Sequence, residues 1–523
     1  MRRLAARAVL TGFVLATLLS CATQDGGGEA DRAELSPRAR RVLVAAFEQI
    51  NDRYVRSVDL GHLAELGVAQ VLRTDPESGL TLRRDGDTLE LRAPHQPPVR
   101  AVAAAPGGGA AWAAAAATAI DAARARSAAL RQLDAERTQQ AFFEGLVKGL
   151  DGYSRYTTPE AAREERSQRE GFGGLGIVID TDGGEVRIVT VMDDSPASRA
   201  GLRAEDRVLA IEGESTRGMV ARDVVRRLRG AVGSQVEIQI RRGEPAAAQR
   251  VTLLRAHIVP QTVTYRRLGD IAHLRVTGFN QKTTETLVEK LRRAEREIGP
   301  RMAGVVLDLR NNFGGYLDQS IYVADLFLAE GTIVSTRGRH RMVTQESWAR
   351  RGDIGEKVPL VVLINGNSAS ASEIVAAALQ DNNRAVVIGT ASFGKGSVQS
   401  ILPLPNEGEL ILTSARFHAP SGYALSELGV LPHLCTSGGR DAPAAMIEQL
   451  RAGRFADRAA ARKWRSIGVD DPEARRRLRA ATCAGEAADR DSDLELAREL
   501  LADRALHASA LASTAELATA LPR

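Results

Sequence analysis

The chain has 523 residues, 44% hydrophobic and 26% charged, with a net charge of +5. That is an ordinary globular composition, long enough for roughly two to four domains. The small basic excess is scattered, the densest run (Val224-Val-Arg-Arg-Leu-Arg229) reads as an exposed helix face, and no nucleic-acid motif occurs. Neither H-E-x-x-H nor C-x-x-C is present, so no metal or cofactor is expected.

Residues 1–20 read as an export signal. Arg2, Arg3 and Arg7 precede a thirteen-residue apolar run, 8–20, which is shorter than the roughly 20 residues a membrane span needs. The run ends in Leu18-Leu-Ser-Cys21, which resembles a bacterial lipoprotein box. The resemblance implies lipid attachment at Cys21, an anchor to the membrane, and a place in the cell envelope facing the periplasm. Residues 21–37 are polar and Gly-rich, as a tether is.

Residues 38–168 are expected to form a mainly helical N-terminal region. Val42, Leu43, Ala46, Phe47 and Ile50 have helical spacing. A helix is expected at 60–72 and a hairpin at 80–91 around Asp85-Gly86. Residues 94–109 read as a Pro/Ala/Gly loop and 111–150 as a long helical stretch. Residues 169–256 resemble a PDZ domain. Gly174-Leu-Gly-Ile177 matches its carboxylate loop, Asp194-Ser-Pro-Ala-Ser-Arg-Ala-Gly-Leu202 its short helix, and 220–228 its groove helix. The amides of Leu175, Gly176 and Ile177 would then hold a peptide's terminal carboxylate, its last residues adding a strand to the sheet edge.

A core follows at 257–436, and its chemistry concentrates in 359–399, PLVVLINGNSASASEIVAAALQDNNRAVVIGTASFGKGSVQ. The apolar run 360–364 reads as a buried strand, Asn365-Gly366-Asn367 as a turn, and 373–379 as the start of a helix. A second strand, 384–388, leads to Lys395 between two glycines. Ser370 therefore stands at a strand-to-helix turn, where nucleophiles are commonly placed. A serine hydroxyl needs an adjacent base. Lysine can serve when burial lowers its pKa from about 10.4, whereas arginine cannot be deprotonated. The chain carries 70 Lys+Arg but only six lysines, at 148, 282, 290, 357, 395 and 463. Apolar strands and Phe393 are expected to bury Lys395, carboxylates to be kept away from it, and Gln399 to orient its amine. Ser370-Ala-Ser-Glu373 is also a capping box, so Ser370 read alone is as well explained as a helix cap. Ser368 and Ser372 are competing nucleophiles.

These segments together resemble the C-terminal processing peptidases, or tail-specific proteases, over about 151–434. The matching motifs are Leu150-Asp-Gly-Tyr-Ser-Arg-Tyr156, the PDZ segments, Leu307-Asp-Leu-Arg-Asn-Asn-Phe-Gly-Gly315, Asn367-Ser-Ala-Ser-Ala-Ser-Glu-Ile374 and Phe393-Gly-Lys-Gly-Ser-Val-Gln399. Gly152, Phe313 and Asn367 depart from the family pattern, and His433 stands where Asp is common. The resemblance implies an α/β, crotonase-like core with an inserted PDZ domain. It implies Ser370 as nucleophile, Lys395 as base, Gln399 as its support, and an oxyanion site from Gly314 or Gly315 (Gly314 the first choice) with Ala371. Asp308 and Arg310 are expected to hold that loop rather than react.

Residues 437–523 read as a helical extension for packing or assembly, amphipathic over 494–511, which leaves self-association open. With Cys21 lipidated, Cys435 and Cys483 remain and are able to pair in an oxidising compartment. The reading is an exported serine endopeptidase whose partners are proteins or peptides with free C-termini. A catalytically inactive scaffold that binds C-termini, and an esterase or amidase, are the alternatives.

Overall fold

The computed structural model describes residues 34–104, 107–182, 184–243, 247–350, 354, 358–439, 443–454 and 458–518. The export signal, Cys21 and most of the tether lie outside them. Among the described residues, no helix is long and apolar enough to cross a membrane.

The core sheet has six strands in the order Val263–Leu268, Ile271–Val276, Gly304–Asp308, Leu360–Ile364, Val386–Gly389, Leu434–Cys435. The first pair is antiparallel and every other pair parallel. Gly304–Asp308, Leu360–Ile364 and Val386–Gly389 are buried at every position, which is why they read as continuous apolar runs rather than alternating ones. Helices Thr283–Ile298, Leu317–Asp325 and Ala371–Asp381 lie in the connections, as parallel pairing requires. A second sheet runs Gln345–Trp348, Thr332–Gly338, Glu409–His418, Ser397–Pro403, and Arg155–Thr157 also pairs with Glu409–His418. Through that pairing the N-terminal region reaches the candidate site.

The N-terminal region packs Pro37–Arg53, Leu60–Leu72, Gly109–Arg126 and Ala135–Leu146 around Phe47, Phe142 and Phe143. The loop expected at 94–109 instead contains a third strand, Gln96–Val102. It is an exposed edge strand, and Pro97 and Pro98 fall between the Gln96↔Ala93 and Val99↔Leu91 pairs, where the register shifts and the regular ladder is interrupted. The stretch expected to be helical over 111–150 is so, and it is divided: Ser127 and Asp134 each accept an amide three residues on and start new helices. The 494–511 helix is likewise two, Asp491–Ala502 and Arg504–Ala518, because Asp503 accepts the Leu506 amide at 3.0 Å.

In the PDZ domain the main sheet runs Gln249–Leu254, Gln235–Arg241, Arg207–Ile211, Glu185–Val191, Ile177–Asp182. Helix Pro159–Glu170 leads into it. Arg229 of the PDZ domain pairs with Glu164 at 2.5 Å, and Arg169 pairs with the buried Glu409 of the core at 3.1 Å. The extension 437–523 contributes Leu496, Ala497, Leu500 and Leu501 to a cluster on Val306, Val361 and Leu363 of the core sheet. Cys435 and Cys483 form a disulfide that ties the extension to the last core strand.

Candidate active site

The buried strand Leu360–Ile364 ends in the turn Asn365-Gly366-Asn367, and the chain enters helix Ala371–Asp381 at Ser370. Ser370 has φ 56° and ψ −113°, a conformation that a non-glycine residue holds only when its surroundings enforce it. The neighbouring serines are committed elsewhere. Ser368 Oγ donates to the Leu309 carbonyl at 2.9 Å and Ser372 Oγ to the Asn312 carbonyl at 2.8 Å, both fully buried. Ser370 is half-buried and lines a cavity of about 460 Å³ together with Ala371, Gly315, Lys395 and Gln399. A larger cavity, about 580 Å³, lies beneath the first helix beside Leu35, Arg124 and Asp134, and contains no serine–lysine pair.

Lys395 Nζ donates to Gln399 Oε1 at 3.4 Å, and Gln399 Nε2 donates to the Tyr153 carbonyl at 2.7 Å. The Tyr153 ring lies 5.8 Å from the amine. Burial pushes the Lys395 pKa below the ordinary lysine value, and the charge of Arg155 adds to this, while Glu373 and Asp151 oppose it. The burial does not come from Phe393, whose side chain is 42% exposed. Tyr153, and Val398, Gln399 and Ile411 of the second sheet, stand beside the amine or line its cavity.

The expectation that carboxylates stay away from the lysine is also corrected. Glu373 is fully buried and accepts four hydrogen bonds: from the Ser370 amide (2.8 Å), the Ser392 hydroxyl (2.5 Å), the Gly394 amide (2.7 Å) and the Lys395 amide (2.9 Å). One carboxylate thus fixes the backbone of both candidate dyad members. The capping box announces only the Ser370 arm. Burial pushes its pKa up, and these donors pull it back toward ionisation.

The glycine loop 311–315 packs against the serine turn. A Cβ on Gly314 would stand 2.9 Å from Ser370 Cβ and 3.1 Å from the Ala371 amide nitrogen, and φ there is +104°. The Gly314 amide donates to Asn312 Oδ1 at 2.9 Å. Gly315, at φ +146°, lines the cavity with Ala371. The Ala371 amide is the first of its helix, where no intrahelical acceptor exists. Asp308 anchors the loop: it is fully buried, accepts from Arg310 Nη2 at 2.7 Å, and has His273 Nε2 at 3.0 Å.

The departures from the family pattern leave this geometry intact. Asn367 Nδ2 donates to Asn311 Oδ1 at 3.0 Å and ties the two loops. Phe313 is 67% exposed at the cavity mouth. A Cβ at Gly152 would meet nothing within 4 Å, and beside it Asp151 accepts the amides of Tyr153 and Ser154 at 2.8 and 2.9 Å, which sets the Tyr153 carbonyl under Gln399. His433 is buried, and its Nδ1 accepts the Val387 amide at 2.8 Å; burial pushes its pKa down to about 3.

In the PDZ domain, Ile177–Asp182 is an edge strand, beside which helix Ala221–Leu228 packs. Gly176 has φ +77°, and a Cβ there would stand 2.3 Å from Ser195 Cβ. The carbonyls of Leu175 and Gly176 are held by the Ala197 and Met192 amides at 3.0 and 2.8 Å. Val178 and Val220 are exposed beside the open edge, an arrangement that fits the addition of a peptide strand. Among the described residues, no group of three or more His, Cys, Asp or Glu side chains is placed to hold a metal.

A serine peptidase core with an attached PDZ domain is thus the class that the fold and the sequence define. The profile of Peptidase family S41 matches residues 270–435, and that of the PDZ domain matches 187–242. The carboxy-terminal-processing protease of Bartonella bacilliformis is 40% identical over 303 residues, covering 58% of this chain and 70% of that protein. The carboxyl-terminal-processing protease of Picosynechococcus sp. is 34% identical over 306 residues, covering 57% and 72%. Among solved structures, the photosystem II D1 C-terminal processing protease shares 28% identity over 59% of this chain and 85% of its own, with a TM-score of 0.35. The chain belongs to the carboxy-terminal-processing protease family.

Proposed function

We propose that this protein is an exported serine endopeptidase that takes up substrate C-termini on its PDZ domain and cleaves with a Ser370–Lys395 dyad on a crotonase-like core. The observation that carries the reading is Lys395 Nζ directed by Gln399, half-buried, in the same cavity as Ser370. A terminal carboxylate docks at the Leu175–Gly176–Ile177 amides and the chain is passed to the cavity. Lys395 Nζ, neutral once burial has lowered its pKa, takes the Ser370 proton as Oγ attacks the scissile carbonyl. The oxyanion is received by the amides of Gly315 and Ala371. Gly315 is preferred to Gly314 because the Gly314 amide is engaged by Asn312. The lysine ammonium then protonates the leaving amine, and water hydrolyses the acyl-enzyme. Export and a lipid anchor at Cys21 are supported by residues 1–21 and by the Cys435–Cys483 disulfide, which suits an oxidising compartment.

The test uses protein starting at Ala22, with Ser370→Ala and Lys395→Ala beside it, and a fluorogenic peptide with a free C-terminal carboxylate. Cleavage by the unsubstituted protein alone supports the reading. Tail binding without cleavage by any form would return the scaffold alternative.

A further inference from the structure

The extension beyond residue 435 lies outside the family match, yet it reaches the lysine loop from behind. Helix Pro472–Thr482 carries Arg475, which is 1% exposed. Its guanidinium donates to the Ser426 carbonyl (Nε, 2.8 Å), the Ala424 carbonyl (Nη2), and the Ile467 and Gly468 carbonyls (Nη1, 2.8 and 3.1 Å). Among the described residues no carboxylate pairs with it. A buried cation held only by carbonyls is a costly choice, and those carbonyls become fixed points. The next residue, Arg476, pairs with Glu427 at 3.0 Å, and Trp464 Nε1 donates to the Gly429 carbonyl at 3.2 Å.

The turn they hold, 424–429, is the frame of the lysine loop. The Glu427 amide donates to the Gly394 carbonyl at 2.7 Å, and Ser426 Oγ to the Gly396 carbonyl at 3.1 Å. A Cβ on Gly396 would stand 2.0 Å from the Ser426 nitrogen, and one on Gly394 2.9 Å from the Glu427 carbonyl carbon. The two glycines that flank Lys395 are thus pressed against residues anchored by the extension. Cys483 follows the helix directly, and its disulfide to Cys435 pins that end to the core.

We propose that Arg475 is a positioning residue for Lys395: it fixes the 424–429 turn, and the turn fixes Gly394 and Gly396 on either side of the base. The inference rests on the Ser370–Lys395 reading. The experiment measures kcat and KM separately, across pH, for full-length Arg475→Met, Arg475→Lys and Trp464→Phe, with folding followed by near-UV circular dichroism. The substrate is the same fluorogenic peptide. A misplaced base lowers kcat about 10- to 100-fold in folded Arg475→Met, leaves KM within about twofold, and moves the pH midpoint of kcat/KM. Arg475→Lys restores part of the loss, because a lysine supplies donors without the fork. Folded Arg475→Met with an unchanged kcat and pH midpoint overturns the proposal. If Arg475→Met does not fold, the milder pair decides: unchanged kcat in both Arg475→Lys and Trp464→Phe overturns it, and lowered kcat at constant KM supports it. Lys395→Ala runs alongside. Full cleavage by that variant would sink the dyad reading itself, whatever Arg475 does.

Discussion

The PDZ loop and the proposed oxyanion loop both turn on glycines at positive φ, +77° at Gly176 and +104° and +146° at Gly314 and Gly315. Their surroundings differ. Gly176 leads into an edge strand beside which Val178 and Val220 are exposed, whereas the 311–315 loop is braced internally by Asn312 and packs against the serine turn. A binding edge needs unpaired backbone and free approach, and one pocket side is enough. A reacting centre needs its groups held against several neighbours at once, because small misplacements cost orders of magnitude. Glu373 makes the contrast concrete: it receives the amides of Ser370 and Lys395, the two members of the proposed dyad, and the PDZ groove has no buried carboxylate in that role among its described residues.

The comparison is broken most severely by removing the reacting groups. Ser370→Ala and Lys395→Ala are expected to lower kcat at least about 10⁴-fold while tail-peptide affinity stays unchanged; calorimetry with a tail peptide beside the cleavage assay separates the two. Glu373→Gln comes next. An amide NH₂ would face donors now received by a carboxylate, so kcat should drop about 100-fold and unfolding free energy by about 3 kcal/mol, read from denaturant titration. Gly176→Ala tests the other side. Strain and the Ser195 contact should weaken tail binding about tenfold, with cleavage of a short C-terminally amidated peptide unchanged. Arg155→Gln sharpens the electrostatics. Arg155 helps to hold Lys395 below the ordinary value, so its loss raises that pKa, and the rise of kcat/KM with pH should move to higher pH. The last effect vanishes at neutral pH and concerns stability alone. His433 is buried neutral with its pKa depressed to about 3, so the unfolded chain binds the extra proton first. Stability is therefore complete above about pH 6.5 and falls toward pH 3 by roughly 1.4 kcal/mol per unit, and His433→Asn should flatten that slope.

Much of the candidate site was legible because its signals are local. A strand, a turn and a capped helix put Ser370 where the periodicity predicts, and the Lys395-to-Gln399 spacing places both on one loop and strand. The choice among Ser368, Ser370 and Ser372 was not legible from the residues themselves. Burial favours Ser370, since Ser368 and Ser372 are fully buried, and alternation of small residues does not reveal burial. Glu373 was hidden behind its own capping signature, since S-x-x-E reports one hydrogen bond and the other three come from residues about twenty positions later. Asn312 as the acceptor for the Gly314 amide was hidden in the same way, inside a motif read for its glycines and for Asp308 and Arg310. Helix Pro159–Glu170 had a visible start in Thr158-Pro159-Glu160, but its role as the strut between core and PDZ domain depends on Glu409, some 240 residues away. The extension reads as a set of Ala/Arg/Leu helices; that Arg475 reaches carbonyls of two separate turns, 424–426 and 467–468, is a tertiary fact with no sequence periodicity.

The central claim is that Lys395 is a neutral amine when it meets Ser370. With only six lysines in the chain, ¹³Cε-lysine labelling gives a countable spectrum, and the Lys395 signal is identified by its loss in Lys395→Met. The account predicts that this signal titrates below the ordinary lysine midpoint near ~10.4 and that kcat/KM rises with the same midpoint. A Lys395 signal titrating at the ordinary midpoint, with cleavage already at its maximum at neutral pH, would contradict it.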